Sequence, residues 1–262
     1  MKLNPTDRLR KHLLFLSPLA IALSGGVDSS TLTFFCLENH IEFTAYTFCG
    51  DHLTSFEAEH VQKVVTENSI PHLFIPCQPL KDPKIAANSR ERCYYCKNDL
   101  YFRLKRCVEP GRTIIDGSNA SDLSKYRPGQ KALKEQGVMT PFASLGFHRM
   151  MVEDLAQELG LNIPRFSRSC LLTRFQYGYQ LDSDLVQRLG RAEDYLLRAG
   201  LSGFRTRVLL DETVLVQVDA SEKVGFLNIE PGFQSLMQEL FFYPYRVQYM
   251  EFSMISGYFD RS

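Results

Sequence analysis

The stretch Ser24-Gly25-Gly26-Val27-Asp28-Ser29 decides how this chain begins to fold. It follows the apolar run at 19–23 and precedes a second apolar-rich segment at 31–37. This order is typical of a strand, a tight glycine turn and a helix. Two glycines let the backbone approach an anion closely, and the first turn of a helix offers N–H groups and the positive end of its dipole. We therefore predict a phosphate-binding loop.

The side chains of this loop comprise hydrogen-bond donors and one carboxylate. Ser24, Ser29 and Ser30 supply hydroxyl groups. Asp28 repels phosphate, so we predict that it binds Mg²⁺ or holds the loop through a hydrogen bond. The loop is not a Walker A loop, because no lysine follows the glycines, and it lacks the dinucleotide-binding G-x-G-x-x-G. An ordinary turn with a helix cap is the alternative, but such a sequence is expected by chance about once in a few thousand chains.

Length and composition limit the class of protein. The chain has 262 residues, of which 44% are hydrophobic, so one domain or two modest domains can form a core. Its 30 basic and 30 acidic residues argue against binding to nucleic acid through bulk charge. No apolar run reaches the length of a membrane span, and the N-terminal segment is charged rather than signal-like. We expect a cytoplasmic protein without membrane partners, whose seven cysteines are thiols or metal ligands rather than disulfides.

Hydrophobic periodicity predicts alternating strands and helices over the first two thirds of the chain. The predicted strands are at 19–23, 42–48, 72–75 and 113–116, and the predicted helices are at 29–38, 55–68, 97–107 and 150–159. Such alternation indicates an α/β fold, in which helices cover both faces of a parallel sheet. Ligands of such sheets bind beyond the carboxyl ends of the strands. The loops at 24–29 and 116–119 would both lie there.

The pattern changes around 162–178, and a smaller α+β module is predicted after it. Its elements are a helix at 182–199, a hairpin of 205–210 and 214–218, a helix near 232–240 and a strand near 246–252. We therefore predict two domains, 1–165 and 166–262. The aromatic-rich segment 241–259 is expected to be core or a subunit contact, and the protein to be a homo-oligomer.

A polar segment, Asp116-Gly117-Ser118-Asn119-Ala120-Ser121-Asp122, follows an apolar strand. Gly117 permits a close backbone approach, and Asn119 can donate to a phosphate or to an adenylated intermediate. A capped polar loop is the simpler interpretation, and the predicted position beside the phosphate-binding loop favours the functional one. Arg127 follows shortly after and could be a cationic clamp or a solvated surface charge.

Three cysteines are candidates for chemistry. Cys93-Tyr94-Tyr95-Cys96 is a C-x-x-C pair compatible with redox chemistry, half a zinc site or coincidence. Cys170 lies in the arginine-rich segment 164–174, whose positive charge favours a reactive thiolate. If it joins the pair in space, a three-thiolate iron–sulfur cluster becomes possible. The other four lie on apolar elements or at their ends and are expected to be packing residues: Cys36, Cys49, Cys77 and Cys107.

Six motifs carry a resemblance to a known family. They are the loop 24–29, Arg92-Cys93-Tyr94-Tyr95-Cys96-Lys97, the segment 116–122, Tyr126-Arg127-Pro128-Gly129, Ser169-Cys170-Leu171-Leu172-Thr173-Arg174 and Arg205-Thr206-Arg207-Val208. The loop resembles the PP-loop signature of the ATP pyrophosphatase superfamily. The whole series resembles the LarE family, the ATP-dependent sulfur transferases of nickel-pincer nucleotide biosynthesis, over residues 19–218.

The resemblance implies an activity. ATP would adenylate a carboxylate of a pyridinium dicarboxylate mononucleotide with loss of pyrophosphate, and sulfur would then displace AMP to give a thiocarboxylate. In some family members the cysteine at the Cys170 position gives up its own sulfur and becomes dehydroalanine. In members that also carry the C-x-x-C, three cysteines hold a four-iron four-sulfur cluster that relays sulfide. The presence of Cys93, Cys96 and Cys170 fits this second version better.

The resemblance also implies binding roles. The protein would bind a small-molecule nucleotide substrate together with ATP and Mg²⁺, and Asp28 and Cys170 would be catalytic residues. Arg205, Arg207 and Arg174 would bind the substrate's own phosphate, a role suited to the guanidinium fork. Glu193 resembles an acidic family position near the sulfur site, although a solvent-facing helix residue is the plainer interpretation. The ATP-binding residues would be Ser24, Gly25, Gly26, Asp28, Ser29, Ser30, Gly117 and Asn119.

The chain departs from the family pattern at three places. Gln217 stands where a glutamate is usual in the second hairpin strand, Thr173 replaces a serine, and Gly146-Phe147-His148-Arg149 replaces Gly-x-Thr-Lys. A relative that applies the same chemistry to another carboxylate or base is therefore an alternative.

Other functions are also compatible with a PP-loop. A tRNA thiolase would normally carry a nucleic-acid-binding extension, and the balanced charge argues against one. An amidating or NAD-forming synthetase would depend on ammonia and would not need Cys170. A non-catalytic nucleotide-sensing module would bind ATP without releasing pyrophosphate.

Overall fold

The aliphatic runs at the start of the chain pair into a parallel sheet with the strand order β3-β2-β1-β4. The strands are β1 (Leu19–Ala22), β2 (Phe43–Cys49), β3 (His72–Pro76) and β4 (Thr113–Asp116). Each lies within one residue of its predicted bounds. In the register, Ala22 pairs with Asp116, so the loops that follow β1 and β4 leave the same edge of the sheet.

Residues 4–122, 128–162, 166, 168–242 and 244–261 are described by this computed structural model. They form two units. The first contains Met1–Cys49, His60–Cys77 and Cys93–Ile163, and the second contains Gly50–Glu59, Gln78–Arg92 and Pro164–Ser262. The two predicted domains, with their boundary at 165 and 166, stay a prediction.

The helices are α1 (Pro5–Leu16), α2 (Val27–Glu38), α3 (Ser55–Glu67), α4 (Pro83–Ala86), α5 (Arg92–Cys107), α6 (Pro128–Glu135), α7 (Pro141–Ser144), α8 (Arg149–Glu158), α9 (Ser183–Arg198), α10 (Lys223–Glu239) and α11 (Phe252–Ile255). No helix among the described residues has both the length and the apolar character that a membrane span requires.

Side chains on the two faces of the parallel sheet enter two different cores. Leu19 and Ile21 pack with buried residues of α1, α2, α3 and α8. Ala20 and Tyr46 pack with buried residues of α5 and α6. Because successive residues of a strand point to opposite faces, one apolar run supplies both cores. The predicted α/β fold with helices on both faces is therefore confirmed.

The second unit contains a three-stranded sheet in the order β5-β6-β7. Its strands are β5 (Phe204–Val208), β6 (Val214–Asp219) and β7 (Tyr245–Met250). Strands β5 and β6 are antiparallel, which confirms the predicted hairpin, and β7 runs parallel to β6. Helix α9 begins at the cap residue Asp182, whose carboxylate accepts from the N–H of Leu185 at 2.9 Å.

Several helices differ from the prediction, among them α10, α1 and α5. Helix α10 begins at Lys223 rather than near residue 232, so Pro231 lies inside it. Phe226 and Phe233 are fully buried on either side of that proline, and their burial outweighs the lost helix hydrogen bond. Helix α1 was missed, although its Asn4-Pro5 start is a cap signal. Helix α5 begins at 92 rather than 97, which places the C-x-x-C in its first turn.

Candidate functional site

The predicted phosphate-binding loop in the first unit is held by its own hydroxyl groups. Gly25 adopts a left-handed conformation with φ of 76°, and a Cβ there would lie 2.8 Å from Val61. The hydroxyl group of Ser29 accepts from the N–H of Ser24 at 3.1 Å and donates to the carbonyl oxygen of Gly26 at 3.1 Å. Helix α2 starts directly after Gly26, so its first-turn N–H groups, which have no intrahelical acceptor, border the loop.

The segment after β4 contacts this loop directly. A Cβ on Gly117 would lie 2.8 Å from the backbone nitrogen of Ser29 and 2.9 Å from the carbonyl carbon of Asp28. The amide of Asn119 donates to a carboxylate oxygen of Asp28 at 3.2 Å. Asn119 is 3% exposed, and its own oxygen accepts from the N–H of Ser121. Gly117 and Asn119 therefore lie where the sequence placed them, beside the phosphate-binding loop.

Asp116 anchors the end of β4. One carboxylate oxygen accepts from the hydroxyl group of Tyr101 at 2.5 Å and lies 3.5 Å from the ammonium of Lys97. The other accepts from the backbone N–H of Ser118 at 2.8 Å. Burial opposes the charge, but Lys97 and the hydrogen bonds outweigh it and lower the pKa of Asp116. The same burial and the negative charge of Asp116 raise the pKa of Tyr101. This network, missed by the sequence analysis, fixes the position of Gly117.

Cys93 and Cys96 lie in the first turn of α5, one half-buried and the other buried. A Cβ on Gly129 would lie 2.9 Å from the side chain of Lys97 and 3.5 Å from the carbonyl oxygen of Cys93. The start of α6 therefore packs closely against this turn. Arg127, the predicted cationic clamp, lies outside the described residues.

In the second unit, Cys170 is exposed and precedes a short 3₁₀ turn over Leu171–Arg174. We call residues 170–174 the Cys170 turn. Three buried arginines donate to its backbone carbonyl groups: Arg174 to Cys170 at 3.5 Å, Arg92 to Leu172 at 3.0 Å and Arg207 to Thr173 at 3.3 Å. The N–H of Leu171 donates to the carbonyl of His52 at 3.1 Å. The exposed thiol is therefore carried by a firmly held backbone.

Glu193 on α9 is the centre of a buried ion network. It is 0% exposed, so a solvent-facing position is wrong for it. One oxygen accepts from Arg174 at 2.6 Å and from Thr206, and the other accepts from Arg174 at 3.0 Å and from Arg168 at 2.8 Å. Burial opposes its charge, but Arg174 and Arg168 lower the pKa of Glu193 strongly. The carboxylate is ionised across the physiological range.

The three arginines predicted to bind a substrate phosphate are all buried, and a phosphate-binding role stays a prediction for each. Arg174 is fully buried and is engaged by Glu193 and by the Cys170 turn. Arg207 donates to Gln217 at 2.8 Å, in addition to the carbonyl groups of Thr173 and Ile255. Gln217 is thus an acceptor for Arg207.

Positive charge exceeds negative charge inside this unit. The buried charged side chains among the described residues all lie in it, and they comprise four arginines (Arg92, Arg174, Arg205 and Arg207) and two carboxylates (Glu193 and Asp219). Burial and the charge of Arg174 lower the pKa of Arg205 well below its ordinary value and that of Arg207 to about 9. An anionic ligand would relieve this unfavourable charging.

The prediction that the other four cysteines are packing residues agrees with the burial of two of them and not with that of the other two. Cys36 and Cys77 are buried, as expected, and burial raises the pKa of the Cys36 thiol to about 12. Cys49 and Cys107 are exposed, so packing is the wrong interpretation for them, because they lie at the last positions of β2 and α5. Across the described ranges, no three His, Cys, Asp or Glu side chains are grouped so that they could hold a metal ion. A three-thiolate cluster on Cys93, Cys96 and Cys170 stays a prediction.

Comparison with known proteins shows which proteins this chain resembles. The asparagine synthase family profile matches residues 6–83, which include the glycine loop. An uncharacterized protein of Synechocystis is 34% identical over 77% of this chain and 76% of its own. Pyridinium-3,5-bisthiocarboxylic acid mononucleotide synthase of Lactiplantibacillus plantarum is 29% identical over 73% of this chain and 71% of its own. This chain belongs to the LarE family.

A solved structure, NMN synthetase of Francisella tularensis, matches 62% of this LarE-family chain and 73% of its own length, with a TM-score of 0.47 and 18% identity. Family membership gives the coarse activity. The protein is an ATP-dependent nucleotide-modifying enzyme of the ATP pyrophosphatase type.

Gly117→Ala is expected to slow pyrophosphate release from ATP about 100-fold or more. The new Cβ would displace the backbone of Ser29. A displacement of about 1 Å at a reacting centre has an effect of that size. Steady-state pyrophosphate release measures the change. Gly190→Ala is the matched control, since a Cβ at this position of α9 would make an ordinary 3.5 Å contact with the side chain of Leu171. Equal rates for the two variants would contradict the proposed packing of Gly117 on the loop.

Proposed function

We propose that this protein is an ATP-dependent sulfur transferase that converts a carboxylate of a pyridinium dicarboxylate mononucleotide to a thiocarboxylate. The observation that carries the proposal is the Cys170 turn, an exposed thiol on a backbone held by three buried arginines. The name of the Lactiplantibacillus relative supports this class of substrate.

The first half-reaction is adenylation of the substrate carboxylate. The loop 24–30 and the start of α2 bind the pyrophosphate end of ATP. Asp28 offers a carboxylate at the first turn of α2, and one or two carboxylates together with phosphate oxygens suffice for Mg²⁺. When bound, the ion neutralises charge on the phosphates. Asn119 orients Asp28 through its 3.2 Å hydrogen bond.

The second half-reaction transfers sulfur. The Cys170 thiolate attacks the acyl carbon, the bond from that carbon to the AMP oxygen breaks, and AMP leaves with the bonding electrons. Loss of the Cα proton of Cys170 and cleavage of its Cβ–S bond then release the thiocarboxylate and leave dehydroalanine. The positive charge around the turn stabilises the thiolate, and Arg205 and Arg207 bind the substrate phosphate.

Two sulfur sources remain in the proposal, the Cys170 sulfur itself and a four-iron four-sulfur cluster on Cys93, Cys96 and Cys170. We derive no step through a cluster, and the experiment below distinguishes the two sources.

The test is a single turnover of anaerobically purified protein with ATP and the pyridinium dicarboxylate mononucleotide. We expect AMP, pyrophosphate and thiocarboxylate in equal amounts. Mass spectrometry of the 164–174 segment separates the sources, since self-sacrifice removes the mass of hydrogen sulfide, whereas a cluster leaves the mass unchanged and gives iron and acid-labile sulfide. Adenylation without any thiocarboxylate would refute the sulfur-transfer proposal.

Asp28→Ala is expected to abolish pyrophosphate release, because the carboxylate proposed to bind Mg²⁺ at the phosphates is removed. The same assay at increasing Mg²⁺ concentration measures the change. Asp51→Ala provides a control at a carboxylate that the proposal does not use. Normal turnover of Asp28→Ala would exclude the metal role.

A further inference from the structure

Two buried residues outside the predicted site hold the Cys170 turn. Arg92 is 3% exposed and donates from one nitrogen both to the side-chain oxygen of Asn88 and to the carbonyl of Leu172, the latter at 3.0 Å. Its guanidinium carbon lies 5.6 Å from the centre of the Tyr177 ring. Arg92 also begins α5, the helix whose first turn carries the C-x-x-C.

Asn88 connects Arg92 to the chain that follows the Cys170 turn. It is fully buried and adopts a left-handed conformation with φ of 51°. Its side-chain amide nitrogen donates to the backbone carbonyl groups of Gln176 at 2.8 Å and Phe175 at 3.4 Å. Its backbone carbonyl accepts from the N–H of Gly178 at 3.0 Å. One asparagine thus holds the backbone on the C-terminal side of the turn while it orients the arginine that holds the turn itself.

We propose that Asn88 and Arg92 are positioning residues that hold the Cys170 turn in the geometry needed for sulfur transfer. This inference rests on the proposed function. Neither residue supplies a reacting atom, and the hydrogen bonds of both hold the Cys170 turn and the chain that follows it. Their loss should therefore slow sulfur transfer while adenylation continues.

The variants are Asn88→Gly, Arg92→Ala and Arg92→Lys. Glycine adopts the left-handed conformation of Asn88 without strain, so the variant loses the hydrogen bonds and packing of the side chain but keeps the backbone conformation. Lysine keeps the charge of Arg92 but not the planar fork. Arg90→Ala is the matched control, since Arg90 is exposed and its guanidinium carbon also lies close to the Tyr177 ring, at 5.4 Å.

Single-turnover kinetics give the first readout. We expect Asn88→Gly and Arg92→Ala to release pyrophosphate within about twofold of the unmodified protein, and to form thiocarboxylate at least about tenfold more slowly, as expected when a nucleophile is slightly misplaced. Arg92→Lys should recover part of the loss, and Arg90→Ala should match the unmodified protein. Equal losses in both half-reactions, or unchanged sulfur transfer, would overturn the proposal.

Amide hydrogen exchange gives a second readout that does not depend on the proposed function. In Asn88→Gly and Arg92→Ala, the N–H groups of Leu171 and Thr173, which donate to His52 and Cys170, should exchange at least about tenfold faster, while α9 stays unchanged. Unchanged exchange in the turn would overturn the positioning role. If Arg92→Ala does not fold, Asn88→Gly and Arg92→Lys carry the same test. Faster exchange in a protein that makes no thiocarboxylate would refute the function and not the positioning.

Discussion

Cys170→Ser is expected to leave pyrophosphate release nearly unchanged and to reduce thiocarboxylate formation by at least about 10³-fold, the scale on which loss of a nucleophile acts. A serine hydroxyl is a far weaker nucleophile than a thiolate at neutral pH. If it attacked the adenylate, the product would be an ester that contains no sulfur to donate. The two half-reactions should therefore separate in this variant.

Two measurements check this expectation. Pyrophosphate release reports the adenylation step, and mass spectrometry of the nucleotide product reports the thiocarboxylate. Cys107→Ser is the matched control, because Cys107 is also exposed but lies at the last position of α5. Thiocarboxylate formation at the normal rate by Cys170→Ser would exclude both proposed sulfur sources, since each needs the sulfur atom of residue 170.

Local signals made the first part of the fold predictable. The phosphate-binding loop combines an apolar strand, two glycines and a helix start within a few residues, and its register against β4 follows from the parallel sheet. Gly117 and Asn119 were found beside Asp28 because the carboxyl ends of parallel strands share one edge.

Contacts between distant parts of the chain could not be predicted. Arg92 and Leu172 are separated by 80 residues, and no periodicity relates them. No local pattern marks Asn88, whose left-handed conformation and complete burial give it several backbone partners. Such contacts arise only once the second unit has assembled.

Glu193 had a signal that was passed over. Leu189, Val186 and Leu197 are buried on α9 at spacings of four, seven and four residues from it, so helical periodicity places Glu193 on the same buried face. A carboxylate in that position needs partners of opposite charge. Arg174 is one such partner, although the family resemblance predicts a substrate-phosphate role for it.

Glu193→Gln is expected to destabilise the second unit by about 3–5 kcal/mol at pH 7, because removing one partner of a buried ion network leaves the others uncompensated. Glutamine keeps the size of the side chain, so the loss measures charge rather than packing. Arg174 would remain fully buried, and Arg168 would keep its ion pair with Glu57.

Urea unfolding measures the change. Circular dichroism is the signal, because the chain contains no tryptophan whose fluorescence could report unfolding. The midpoint should fall with little change in slope. Glu59→Gln is the control, since Glu59 and Arg198 form an exposed pair on the surface, for which a loss of at most about 1 kcal/mol is expected. A midpoint for Glu193→Gln equal to that of the control would contradict the network.

The effect of pH separates charge from shape in this comparison. Because the folded pKa of Glu193 lies below its ordinary value of 4.5, the carboxylate contributes its full stabilisation above that value and loses it as the pH falls toward the folded pKa. The stability difference between the unmodified protein and Glu193→Gln should therefore be constant at neutral pH and shrink in acid. A difference that stayed the same at low pH would show that glutamine disturbs the packing of α9, and that the charge of Glu193 does not hold Arg174 and the Cys170 turn in place.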